Sequence, residues 1–195
     1  MRRRTVGRPR RSGSRGATMI EILVVLVITM IGLFAMLGLN LRAYQTKSES
    51  YQRSQALVLV EDMAQRISAN RPAIAAYAAP AASAVGAGAV VACAAAVGAA
   101  RDLCEWGNLL RGTAETTGSG NRVGAMADAR GCIAVDTPAP AASGPSTANV
   151  VVVWRGAVAS ATAASAPCVP GGFDVADGFM RFTSTIVRFG DLDGS

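Results

Sequence analysis

One carboxylate, Glu21, stands at the head of an apolar run, and no other charged residue follows until Arg42. A carboxylate in that position has one plausible chemistry, pairing with a cation, because an unpaired acid beside lipid or packed apolar helices is costly. Four cysteines, Cys93, Cys104, Cys132 and Cys168, lie further along the chain. Thiols bind metals or oxidise to disulfides. The 195 residues include no histidine, and the cysteine spacings match no zinc pattern. An even number of cysteines in an exported domain points to two disulfides, for which three pairings exist. The sequential pairing, Cys93–Cys104 with Cys132–Cys168, is expected. No metal or cofactor is expected.

Other constellations fail on composition. Without histidine there is no Ser-His-Asp or Cys-His arrangement, so an enzyme is not expected. Asp191-Leu192-Asp193-Gly194 lacks the remaining ligands of a calcium loop and reads as a solvated tail. Gly118-Ser119-Gly120 follows no strand and is too short to cradle a phosphate. Trp106 and Trp154 read as core residues.

The elements that must position Glu21 and the cysteines follow from periodicity. Residues 22–39 carry no charge and a single hydroxyl, Thr29. Eighteen helical residues rise about 27 Å, close to the hydrocarbon thickness of a bilayer. Gly32 and Gly38 allow close helix contacts. The helix does not stop there. Ala56, Leu57, Val60, Met63, Ala64 and Ile67 recur at three- and four-residue steps, opposite Gln52, Arg53, Glu61, Asp62, Gln65 and Arg66. Asn70-Arg71-Pro72 ends it, since a residue before proline disfavours helix. One helix from about 18 to 70 is expected. Residues 73–100 are alanine-rich with room for at most a short helix, 101–110 are better patterned, and 112–124 are a loop. Strands are expected at 132–135, at 149–155 around Val150-Val151-Val152-Val153-Trp154, and at 179–189. Segments 137–148 and 156–178 read as loops. The fold class is α+β, a long N-terminal helix packed on a small antiparallel sheet.

The net charge of +6 is misleading. Arg2, Arg3, Arg4, Arg8, Arg10, Arg11 and Arg15 crowd the first sixteen residues with no acid among them. Without these seven, 12 basic residues face 13 acidic ones. The body has no electrostatic reason to bind nucleic acid. Arginines at one end of a membrane span stay in the cytoplasm, which places the remainder of the chain outside.

Gly16, then Ala17-Thr18-Met19-Ile20, then Glu21 and an unbroken apolar helix resemble a type IV prepilin. The resemblance implies that a prepilin peptidase cuts between Gly16 and Ala17 and methylates the amine of Ala17. It also implies that Glu21 neutralises the N-terminal amine of a neighbouring subunit. Ala17 departs from the family's usual Phe or Met at that place. The implied division is a leader over 1–16, a membrane and filament-core half-helix over 17–41, an amphipathic half over 42–71, and a globular domain over 72–195. Tyr51-Gln52-Arg53-Ser54-Gln55-Ala56, the segment from Asp62 to Arg71, Arg130-Gly131-Cys132-Ile133 and Val151-Val152-Val153-Trp154-Arg155-Gly156 are similar to PilV-type minor pilins.

A minor pilin role in pilus assembly and twitching motility is therefore the leading expectation, in an initiating tip complex. The partners would be prepilin peptidase, other minor and major pilins, and the inner membrane before assembly. Neither a small-molecule substrate nor nucleic acid is expected. The subunit would start in the inner membrane, N-terminus in the cytoplasm, and finish in the pilus at the cell surface. The alternatives are a pseudopilin of a type II secretion system and, less favoured, a Sec-exported binding or adhesion domain. Glu21 so close to the start of the apolar run argues against the last.

Overall fold

A computed structural model describes residues 16, 18–114, 117–119, 126–137, 146–160, 167–171, 173 and 175–190. The arginine-rich residues 1–15, Ala17 and the acidic tail 191–195 lie outside the described residues. The chain forms two compact units, Met1–Tyr44 and Gln45–Ser195, and a single helix, α1 (Met19–Ala69), contributes to both.

In the first unit every described residue is exposed. The Thr18 carbonyl accepts from the Glu21 and Ile22 amides at 3.0 and 3.3 Å and opens α1. Thr29, the one hydroxyl of the apolar run, donates to the Val25 carbonyl at 2.7 Å, so the helix satisfies its own polar group. This stretch is long and apolar enough to cross a membrane, and none of it is buried within the protein.

In the second unit α1 buries Ala56, Val60, Met63, Ala64 and Ile67. Leu57, placed on that stripe by its spacing, is 51% exposed. It follows Ala56 by one residue, about 100° further round the helix, and Ala56 rather than Leu57 faces the core. Beyond α1 the alanine-rich segment makes two 3₁₀ turns, Arg71–Tyr77 and Ala81–Ser83, before α2 (Gly98–Leu110). Three strands follow, β1 (Arg130–Asp136), β2 (Ser146–Arg155) and β3 (Met180–Phe189). They form one antiparallel sheet in the order β1-β2-β3.

The valine run is buried on both faces. Ala148, Val150, Val152 and Trp154 join the core containing the α1 stripe, Trp106 and Ile133. Val151 and Val153 meet Cys132, Cys168 and Met180 in a second cluster. This explains a continuous apolar run where a half-exposed strand would alternate. β2 starts at Ser146, inside the segment read as a loop, because Asp136 pairs with Thr147 and Ser146 with Phe189. Tertiary pairing extends the strand past the residues with strand propensity.

Candidate functional site

Gly16 is exposed, and a Cβ built on it would meet no atom within 4 Å. Ala17, the other half of the candidate cleavage bond and the candidate methylation site, lies outside the described residues. Glu21 sits in the first turn of α1, where the helix dipole favours a negative charge. It is exposed and forms no ion pair among the described residues.

The cysteines belong to the second unit. Cys93 is bonded to Cys104 and Cys132 to Cys168, with Cα–Cα distances of 5.7 and 6.4 Å. The first joins the alanine-rich segment to α2. Asn108 holds the same segment, accepting from the Val91 amide at 3.1 Å and donating to the Val91 carbonyl at 2.8 Å. The second disulfide ties the strand-preceding segment to the outer face of the sheet, where Cys132 and Cys168 are buried.

A polar cluster that no motif announced joins α1 to α2. Arg66 contacts Asp62 at 3.0 Å, Asp102 at 3.4 Å and Glu105 at 2.9 Å. Glu105 also accepts from Arg101 at 2.8 Å. The Tyr77 hydroxyl donates to Asp102 at 2.5 Å and accepts from the Asn70 amide at 3.2 Å. Burial alone would lower the Arg66 pKa. The Glu105 hydrogen bond and the Asp62 charge outweigh it, so the guanidinium is held above its ordinary value. Hydrogen bonds from Arg101 and then Arg66 hold the Glu105 carboxyl below the usual carboxylate range. Burial, then the bond to Asp102, pushes the Tyr77 phenol up. Within the cluster, Asp62–Arg66 on α1 and Arg101–Glu105 on α2 are each four apart on one helix, a spacing a sequence can show, whereas the bonds from Arg66 to α2 are not local. The acids surround a guanidinium, and no metal-holding group of His, Cys, Asp or Glu exists among the described residues. The cluster is a clasp between helices.

Trp106 completes the clasp. Its ring is fully buried and its Nε1 donates to the Leu59 carbonyl of α1 at 2.8 Å. Gly131 of β1 lies under this ring, leaving no room for a Cβ.

Residues 38–107 match a family model described as Tt1218-like, type IV pilin Tt1218. This supports a type IV pilin. The matched span runs from the end of the apolar run through the clasp, including Arg66, Tyr77, Asp102 and Trp106. It excludes the Gly16–Glu21 junction. No curated protein and no solved structure matches the chain. The long helix and three-stranded antiparallel sheet are consistent with the type IV pilin fold, and an exposed apolar helix fits a membrane-anchored pilin.

Proposed function

We propose that the chain is a minor pilin of a type IV pilus, cut after Gly16 by a prepilin peptidase and then inserted into the filament. The observation that carries this reading is Glu21, a carboxylate in the first turn of an exposed apolar helix. After cleavage, the amine of Ala17 on one subunit becomes the cation for Glu21 of its neighbour. The pair neutralises two charges that would otherwise sit uncompensated among apolar helices. The apolar half-helix supplies binding area. The domain outside the membrane selects neighbours, and the subunit takes its place in the initiating tip complex. Before assembly the subunit rests in the inner membrane with its N-terminus in the cytoplasm.

The test is the mature N-terminus. Mass spectrometry on cells with the peptidase should find a chain starting at Ala17, with a methyl group on its amine. Cells lacking the peptidase should retain the full leader. Glu21→Ala should still be cut but should fail to enter sheared pili. A mature chain starting anywhere else rejects the proposal. Loss of secreted enzymes with intact pili in a deletion strain assigns the chain to a type II secretion pseudopilus instead.

A further inference from the structure

The two edges of the sheet are treated differently. The edge of β1 is closed by main-chain bridges. Ala79 exchanges hydrogen bonds with Ile133 at 2.9 and 2.8 Å, and Val85 exchanges them with Gly131 at 2.9 and 2.8 Å. β3 is the opposite edge, and no described residue bridges to it. Edge strands are usually blunted by a central charge, a proline or a bulge. The centre of β3, Phe182-Thr183-Ser184-Thr185-Ile186-Val187, has none of these. Ile186 is 54% exposed. Six uncharged residues, five of them strand-favouring, on an edge that no described residue bridges form a template for another strand.

The side chains say which strand. Val187 and Phe189 pack towards the α1 core, whereas Met180 and Phe182 pack in the outer cluster, so odd and even residues of β3 occupy opposite faces. A second copy joined antiparallel by a two-fold axis, with both cores on one face of the continued sheet, must be centred on a residue. Centred on Thr185, the pairing sets Thr185 against Thr185, Ser184 against Ile186, and Thr183 against Val187. It also sets Arg188 against Phe182 on the outer face and Arg181 against Phe189 on the inner one. Arg188 thereby meets a ring, while Arg181 keeps its ion pair with Glu49 at 3.6 Å and Phe189 keeps Arg71 over its ring at 5.3 Å. Arg188 is exposed and takes part in none of the ion pairs among the described residues, so it is available. A register with Arg181 opposite Arg188 sets cation against cation and turns the second core over.

We propose that the β3 edge is a self-association surface, on which a second copy of this chain pairs antiparallel through its own β3 centred on Thr185. The pair closes at two and builds no filament by itself. It does not depend on leader processing or on the pilin reading.

Thr185→Cys puts two thiols opposite each other at a spacing a disulfide can span. The full chain in detergent, oxidised with copper phenanthroline, should run as a covalent dimer on a non-reducing gel. Ser184→Cys should give several-fold less, because Ser184 faces Ile186 of the other copy. Mixing Ser184→Cys with Ile186→Cys should restore the dimer, which covers the case of Thr185→Cys folding poorly. Ile186→Lys added to Thr185→Cys should abolish it without shifting the melting temperature. Absence of dimer in both Thr185→Cys and the mixture overturns the proposal, as does a dimer equally strong with Ser184→Cys alone.

Discussion

Arg66 is the residue on which the α1–α2 contact turns. Its side chain is 25% exposed and touches three carboxylates from two helices. Removing it leaves those acids facing one another without their shared cation. Arg66→Ala should destabilise the second unit by about 1–3 kcal/mol, read as a lower melting temperature of the full chain in detergent. Arg66→Lys should recover part of the loss, because a lysine keeps the charge but not the fork. The same cluster sets a pH dependence at both ends. The folded Glu105 pKa lies below its unfolded value, so its contribution is present above the ordinary carboxylate range and lost as pH falls through the folded value. The folded Tyr77 pKa lies above its unfolded value. Its contribution is present below the ordinary phenol range and lost as pH rises through the folded value. Melting temperature against pH should fall at both limits, and Glu105→Gln should flatten the acid limb alone. In the sequence Arg66 was one more polar residue on the solvent side of an amphipathic helix. Its partners at Asp102 and Glu105 are 36 and 39 residues away, a distance that helical periodicity cannot bridge.

At the scale of elements, α1 was legible nearly to the residue. The structure has it over Met19–Ala69 against an expectation of 18 to 70, because apolar periodicity and Asn70-Arg71-Pro72 are local signals. The strands were legible at their apolar centres and not at their ends. Residues 146–148 are strand only because β1 and β3 offer partners there. The contact of α2 with β1 was not legible at all. It depends on Gly131, whose missing side chain admits the Trp106 ring and the Leu110 methyl. The strand expected at 132–135 leaves Gly131 outside it, whereas β1 begins at Arg130 and includes it. Gly131→Ala should force the ring and strand apart and cost about 1–3 kcal/mol. A fall in melting temperature with a change in tryptophan fluorescence would report it. Ala134→Gly on the same strand, exposed and away from the ring, should leave the fluorescence unchanged.

Across the whole molecule, two disulfides hold segments that short-range pattern leaves loose. The Cys132–Cys168 bond closes 36 residues and the Cys93–Cys104 bond closes 11. Loop-closure entropy gives about 4 kcal/mol for the longer loop and about 3 kcal/mol for the shorter. Cys132→Ser with Cys168→Ser should therefore lower the melting temperature more than Cys93→Ser with Cys104→Ser, in unfolding scans without reductant. The shorter loop also keeps the Asn108 bonds to Val91, which should limit its loss further. The sequence by itself determined the long helix, the apolar stretch within it, the candidate junction at Gly16 and Glu21, and the near-neutral body behind an arginine-rich start. Each of these is a property of neighbours along the chain, carried by charge, periodicity or composition. Only the tertiary structure decided which thiols meet, which carboxylates share Arg66, where Trp106 rests and which sheet edge the described residues leave unbridged. Those depend on residues tens of positions apart brought together by burial, and burial of one face against another is not encoded in any short window.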